Sequence, residues 1–78
     1  MLQTPILESE SVRSAALLPL ILRARAEFTE MPGLRLTVAQ AARLWALDTA
    51  TSAATLAALV RTGFLTQRGE RYSRAGGA

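Results

Sequence analysis

Three arginines lie close together near the C-terminal end of the chain, at Arg68, Arg71 and Arg74. An arginine guanidinium stays charged at every working pH and presents a planar fork of donors that fits the oxygens of a phosphate. Gly69 and Glu70, between the first two arginines, have the form of a two-residue hairpin turn of Gly-X type. We therefore expect a hairpin tip with an arginine on each side, able to contact phosphate groups. The alternative is a solvated tip whose charges only prevent edge-to-edge pairing of strands.

Positive charge is concentrated in the second half of the chain. Residues 1–34 hold three arginines and four acidic residues, a balance of −1, whereas residues 35–78 hold six arginines and two acidic residues, a balance of +4. All the basic residues are arginine, and a coding bias in a GC-rich genome explains this more simply than a functional preference for guanidinium groups. Because the net charge of +3 is only modestly basic, the position of the arginines is more informative than their number.

The composition leaves little with which to build a catalytic site. The chain has 78 residues, half of them hydrophobic, which suffices for one small domain with a compact core. It contains no cysteine and no histidine, which removes disulfides, thiol catalysis, the usual zinc sites and the commonest general base. The acidic residues are scattered and form no metal-binding loop. We expect neither an enzyme nor a bound metal or cofactor.

Residues 37–65 have the pattern of two short helices, a tight turn between them and an extended segment after them. Thr37 followed by Gln40 has the form of a capping box, which predicts a helix starting immediately afterwards. Asp48 is the corresponding cap of the second helix. Gly63 can adopt the positive φ that ends a helix before the chain enters a strand. The apolar residues expected to face the core here are Val38, Ala41, Ala42, Trp45 and Leu47.

This arrangement resembles the winged helix-turn-helix family of bacterial transcription regulators, over about residues 18–73. The family's turn, a leucine followed by a cap residue, matches Leu47 and Asp48, and the Leu-aliphatic pair before the glycine matches Leu59 and Val60. The resemblance implies a mainly α fold with a small β-hairpin, a three-helix winged helix-turn-helix in the order H1-S1-H2-H3-S2-S3, with double-stranded DNA as the default partner. We expect residues 1–14 to be a flexible N-terminal arm, residues 15–75 the winged helix-turn-helix domain and residues 76–78 a disordered tail.

Pro19 decides where the first helix is expected to begin. Because proline lacks an N–H and fits best in the first turn of a helix, we predict a helix from about Leu18 to Met31. An earlier start would place Pro19 inside the helix and kink it. Residues 34–36 alternate in hydropathy, which predicts a lone strand that pairs with the hairpin of residues 64–74. The core residues expected on the first helix are Leu18, Ile21, Leu22 and Phe28.

Leu17 and Leu20 are harder to place in a three-helix core. An exposed apolar patch in a small protein is typical of a dimer interface, so we expect a homodimer through these leucines. Coverage of the same residues by the N-terminal arm is the alternative.

In the docking implied by the resemblance, the second helix of the motif enters the major groove of DNA. Its outward face is nearly all alanine, which can touch a thymine methyl but offers no hydrogen bond to a base, so base reading would depend on hydroxyl groups. A smooth alanine face would also let a protein partner or a second copy of the chain approach closely. The high helix propensity of alanine explains the same run without any partner. The hydroxyl candidates are Thr49, Thr51 and Thr55, and the outward alanines are Ala50, Ala53, Ala54 and Ala57.

Two residues outside this helix complete the candidate DNA contacts. Arg43 is a candidate backbone clamp because the first helix of the motif crosses the phosphates in the family's docking. A surface arginine without a role is the alternative. Tyr72 is expected to pack its ring beneath the wing and to leave its hydroxyl near the surface, within reach of a phosphate. The candidate DNA-binding residues are therefore Arg43, Thr49, Thr51, Thr55, Arg68, Arg71, Tyr72 and Arg74.

The N-terminal segment lacks the features of a secretion signal. No basic residue precedes Arg13, and the apolar run of residues 15–22 is too short to span a bilayer. We therefore expect a cytoplasmic protein with no membrane partner. The favoured function is binding of duplex DNA as a transcriptional regulator, with affinity mainly from arginine–phosphate contacts. The alternative is a winged-helix module that binds a protein partner or itself, with little DNA binding.

Overall fold

The computed structural model describes residues 6–76, with side chains from residue 15 onward. This part of the chain holds three helices, α1 (Ile6–Glu30), α2 (Val38–Trp45) and α3 (Thr49–Arg61), followed by two antiparallel strands, β1 (Leu65–Arg68) and β2 (Arg71–Arg74). The mainly α architecture with a small hairpin is confirmed. The lone strand predicted at residues 34–36 is reduced to a single antiparallel bridge between Leu36 and Tyr72.

Helices α2 and α3 begin at the capping residues that the sequence predicts. The Thr37 Oγ1 atom accepts a hydrogen bond from the Gln40 backbone N–H at 3.1 Å, and the Gln40 side chain accepts one from the Thr37 N–H at 2.9 Å. This reciprocal pair is a capping box. At α3 the Asp48 carboxylate accepts a hydrogen bond from the Thr51 N–H at 3.2 Å. Each cap satisfies an amide that has no partner inside its own helix.

Residues in the left-handed region end helices α2 and α3. Gly63 has φ +84°, and the Phe64 N–H donates to the Leu59 carbonyl at 3.0 Å, which confirms the helix end expected at this glycine. The end of α2 differs, because Ala46 occupies the left-handed position with φ 57°. Alanine is strained in this conformation, where glycine is not. The tight turn between α2 and α3 therefore includes a strained residue that the sequence does not reveal.

Helix α1 begins earlier than the sequence predicts. It starts at Ile6 rather than near Leu18, and Pro19 lies inside it. Residues 6–14 of the expected arm are therefore helical, while residues 1–5 of the arm and residues 77–78 of the expected tail lie outside the described residues. The helix continues past Pro19 because a proline removes only one backbone hydrogen bond and both flanking segments are rich in helix-forming residues.

The buried face of α1 also differs from the prediction. Leu18 and Leu22, expected in the core, are 54% and 56% exposed, whereas Ala24 is fully buried and Phe28 is buried as expected. The helix packs on α3, and a small residue such as Ala24 lets two helices approach closely. Aliphatic residues surround α1 between residues 17 and 22, so their pattern alone does not select the packed face. Leu17 and Leu20, expected in an exposed patch, are half-buried.

One core joins the helices to the hairpin. Helix α3 packs against α1, α2 and β1, and its Leu56 and Leu59 are 0% and 1% exposed. Trp45 of α2 is buried as predicted, so it is a core residue rather than an exposed stacking platform. Leu65 and Tyr72 bring the two strands into the same cluster. The hairpin is therefore fixed to the helical body along its inner face, and its outer face is turned away from the core.

Candidate nucleic-acid interface

The register of the hairpin places Arg68 and Arg71 directly opposite each other. Gly69, with φ +61°, and Glu70 form the predicted two-residue turn between them, and both arginines are exposed. Directly paired residues share a face of a sheet, and two like charges in this arrangement repel each other. The expectation of an arginine on each side of the tip is confirmed. The pair carries a local electrostatic penalty that a bound anion would relieve.

Arg35 joins the hairpin arginines, although the sequence analysis did not identify it as a site residue. The bridge between Leu36 and Tyr72 is made by backbone hydrogen bonds of 3.0 and 2.8 Å and lays the segment before α2 beside β2. Because side chains alternate along an extended chain, the buried Leu36 leaves Arg35 on the opposite, exposed face. The alternating hydropathy of residues 34–36 already indicated that Arg35 is exposed. The bridge to β2 is needed to show that it lies near the arginines of the hairpin.

A surface cavity of about 500 Å³ lies between these arginines and the turn after α1. Arg35, Arg68, Arg71 and Arg74 line it, and the turn contributes Pro32 and Gly33. Two hydroxyl residues, Thr66 and Ser73, are directly paired across the strands and also line it. The lining contains no acidic residue. Its chemistry is that of an anion site, since it combines fixed positive charge with neutral hydrogen-bond donors.

Arg74 differs from the other hairpin arginines because it is half-buried. Its guanidinium carbon lies 4.7 Å from the centre of the Phe64 ring, and the Arg25 guanidinium carbon lies 4.8 Å from the same ring. The Arg74 Nε atom is buried and has no hydrogen-bond partner among the described residues. Contact with an aromatic ring orients a guanidinium group but supplies no acceptor for its N–H groups. Arg74 is therefore held in place with part of its donor capacity unused.

The hydroxyl groups predicted to read bases on α3 have three different environments. Thr49 is exposed and Thr51 is half-buried. Thr55 is fully buried, and its Oγ1 atom donates to the Thr51 carbonyl at 2.8 Å, so its predicted role in DNA contact is wrong. The buried stripe of α3 runs through Ser52, Thr55, Leu56 and Leu59, at the spacing of a helix face. Alanines on both sides of this stripe obscured its position in the sequence.

The alanine face of α3 is only partly accessible. Ala50 is exposed, whereas Ala53, Ala54 and Ala57 are half-buried. Tyr72 is 8% exposed and belongs to the core cluster, so its ring packs beneath the hairpin as expected. Arg43 is exposed in the last turn of α2, and Arg61 is exposed in the last turn of α3.

Asp48 combines its structural role with a shifted pKa. Hydrogen bonds from Thr51, first from its side chain and then from its backbone N–H, hold the pKa of the Asp48 carboxyl below its usual value. The carboxylate therefore stays charged at the N-terminus of α3, where it complements the helix dipole. Negative charge at this end is unfavourable for a phosphate contact by the first turn of α3.

Comparisons with protein-family models, with curated proteins and with solved structures give no match to this chain. Within the described residues, no group of three or more acidic side chains lies close enough together to hold a metal ion. The helices of this part of the chain are each too short or too polar to cross a membrane.

Proposed function

We propose that this chain is a winged helix-turn-helix domain that binds duplex DNA, mainly through phosphate contacts of the hairpin arginines. The exposed pair Arg68 and Arg71 at the hairpin tip, joined by Arg35 in a cavity lined by no acidic residue, supports the proposal most directly. Arginine is the side chain best suited to bind a phosphate through two parallel N–H···O hydrogen bonds. The order of the helices and the hairpin fits a winged helix, in which the hairpin is the wing.

The proposed binding discriminates weakly between sequences. Thr55 is buried, and Thr49 is the one threonine of α3 that is exposed among those predicted to read bases. Alanine offers no hydrogen bond to a base edge, so few direct base contacts are available from this helix. Contacts to the phosphate backbone carry little sequence information but contribute strongly to affinity. We infer a cytoplasmic DNA-binding protein whose affinity depends on salt more than on sequence.

Fluorescence anisotropy with a labelled random duplex tests this proposal. The protein is titrated at about 50 and about 200 mM salt, as wild type and as the double variant R68A/R71A. Loss of two phosphate contacts is expected to weaken binding to all duplexes alike and to reduce the slope of log affinity against log salt by about 2. The same double variant removes two of the positive charges that make up the net charge of +3.

Arg23→Glu provides a control with the same change in net charge. Arg23 is exposed on α1, outside the hairpin surface, and reversing its charge also lowers the net charge by two. The control is expected to retain most of the salt-dependent affinity. Equal losses in both variants would mean that only total charge matters. Absence of binding at either salt concentration would contradict the DNA proposal itself.

A second candidate function is favoured by the exposed leucines of α1. Leu18 and Leu22 are one helical turn apart and more than half exposed, which is costly for large aliphatic side chains in water. We propose that this face of α1 mediates a homodimer, so the predicted dimer interface at Leu17 and Leu20 moves to the neighbouring face. Dimerisation is compatible with DNA binding. If the chain binds no DNA, a protein-interaction module built on this face is the function that its surface supports next.

A further inference from the structure

The cavity beside the hairpin has the size and the chemistry of a small-molecule site. Its volume of about 500 Å³ lies within the range of about 300–1,000 Å³ typical of ligand pockets. Four arginines from two separate parts of the chain converge on it, with the hydroxyl groups of Thr66 and Ser73 between them. We propose that this cavity binds a small molecule that carries two or more adjacent phosphate groups.

The arginines that line the cavity lack acceptors among the described residues. The Arg74 Nε atom is buried without an acceptor, although most buried donors in proteins are paired. Arg68 and Arg71 are directly opposed across the hairpin, where like charges are unfavourable. In addition, none of the side-chain hydrogen bonds within the described residues is made by an arginine of this cavity. A bound anion would supply acceptors to Arg68 and Arg71.

Charge balance favours more than one phosphate group. Four arginines line the cavity, and a phosphate monoester carries a charge of about −1.5 to −2 at pH 7. A single phosphate would leave about half of the positive charge uncompensated. A phosphate in the DNA backbone carries one negative charge, and its neighbours are spread along the strand, so DNA places less charge in a compact cavity. A compact molecule with adjacent phosphates matches the convergence of the four arginines better.

Two of the arginines that line the cavity are held in place by contacts within the chain. The Arg74 guanidinium rests on the Phe64 ring at 4.7 Å, and the ring residue is fixed by backbone hydrogen bonds to Leu59 and Ala75, both of 3.0 Å. Arg35 is anchored by the bridge beside it, between Leu36 and Tyr72. Less conformational freedom is therefore lost on binding than with arginines on free loops.

The ligand would share Arg35, Arg68 and Arg71 with the proposed DNA contacts. Binding of one would then oppose binding of the other, so a phosphorylated small molecule would act as a regulator of DNA release. This regulatory consequence rests on the proposed function. Binding of the small molecule itself does not, because it needs only the cavity.

Isothermal titration calorimetry of the full chain with inorganic pyrophosphate, at constant ionic strength, tests the site. Arg35 lines the cavity but lies outside the hairpin tip, so Arg35→Ala is the variant, and Arg23→Ala on α1 is its control with equal charge. We expect pyrophosphate affinity to fall about tenfold in Arg35→Ala, because a charge-assisted contact is lost, and to stay within about twofold in Arg23→Ala. Ser73→Ala, which removes a neutral donor without altering charge, is expected to weaken binding by a smaller factor. Circular dichroism verifies that each variant is folded.

Competition experiments with sulfate and with labelled duplex distinguish a specific pyrophosphate site from general anion binding and from the DNA contacts. Sulfate at the same ionic strength is expected not to replace pyrophosphate, and pyrophosphate is expected to release bound duplex from wild type at concentrations where sulfate does not. Equal weakening in the Arg35 and Arg23 variants, or equal binding of sulfate, would overturn the site as a specific one. Duplex binding without pyrophosphate binding would overturn the cavity proposal and leave the DNA proposal standing. Pyrophosphate binding without duplex binding would overturn the DNA proposal and leave the cavity proposal standing.

Discussion

At the scale of single residues, Ala46 is the place where the backbone is least suited to its side chain. It ends α2 with φ 57° and ψ 47°, a conformation that costs an L-residue about 1–2 kcal/mol relative to glycine. Ala46 is exposed, so replacing it removes no packing. We expect Ala46→Gly to raise the free energy of unfolding by about 0.5–1 kcal/mol, because the relief of strain exceeds the entropy that glycine adds to the unfolded chain. Urea denaturation measures this change.

Ala26→Gly is the matched control for the Ala46 prediction. Ala26 is also exposed but lies within helix α1, where glycine is expected to lower stability by about 1 kcal/mol. The opposite signs of the two variants would separate relief of backbone strain from the general effect of glycine. A loss of stability in both would mean that the turn between α2 and α3 does not need a left-handed residue.

Asp48 gives the molecule a predictable response to acid. Its pKa is lower in the folded state than in the unfolded chain, so its stabilising contribution is fully present above the unfolded value of about 4 and is lost as the pH falls through the folded value. Asparagine caps a helix about as well but does not titrate in this range. We expect the stability difference between wild type and Asp48→Asn to be constant above about pH 5 and to shift against wild type below about pH 4. A difference that stays constant across this range would contradict the cap as the cause of the shifted pKa.

At the scale of the elements, prediction from sequence succeeded where signals are local. Thr37 and Gln40, Asp48, Gly63 and Gly69 each act within a few residues, and the structure places a helix start, a helix end or a turn at each of them. The contribution of Arg35 could not be predicted in this way, since it depends on a bridge to a residue far along the chain.

The helices that hold the misplaced residues Leu18, Leu22 and Thr55 lack a distinct hydrophobic stripe. Around residues 17–22 of α1 large aliphatic residues occur on every side, and on α3 alanines flank the buried positions. Hydrophobic periodicity therefore does not identify which side meets the core. The burial of Thr55 and the exposure of Leu18 follow from how α1 and α3 fit together, a property of the packed molecule rather than of either helix.

Replacing Pro19 tests where α1 begins, because the sign of the resulting change in stability differs between an early and a late start. Inside a helix, proline removes one hydrogen bond and clashes with the preceding turn, so Pro19→Ala is expected to raise stability by about 1–3 kcal/mol and to increase helical content. If the helix began near Leu18, proline would occupy its favoured first position, and the same change would be neutral or destabilising. Urea denaturation and far-ultraviolet circular dichroism measure the two quantities. Hydrogen exchange of the amides in residues 8–18 adds a local measure, since protection there requires a helix that begins before Pro19.

At the scale of the whole molecule, α1 is long relative to the body that it packs against. Its 25 residues extend about 37 Å at the rise of an α-helix, whereas the two shorter dimensions of the molecule are 24 and 22 Å. The buried residues of α1 among the described side chains are Ala24 and Phe28, in its C-terminal part. A helix that exposes leucines before its packed part would gain stability by packing against a second copy. The two halves of the molecule would then have separate tasks, with association through α1 and anion binding through the hairpin.

The proposed dimer predicts that charge on the exposed face of α1 dissociates the protein without unfolding it. We expect L18E/L22E to be monomeric in sedimentation velocity at concentrations where wild type is dimeric, because the dimer would bury the added carboxylates without partners.

The control M31E/L44E alters the other two large apolar residues that are exposed within the described chain, at 46% and 50%, and is expected to remain dimeric. Both variants should retain wild-type helical content, since each substituted residue is about half exposed to solvent. A monomeric wild type, or equal dissociation of both variants, would show that α1 is not the interface. If the dimer exists and binds DNA through two hairpins, L18E/L22E should also lower duplex affinity while leaving the binding of pyrophosphate unchanged, because each cavity lies within one chain.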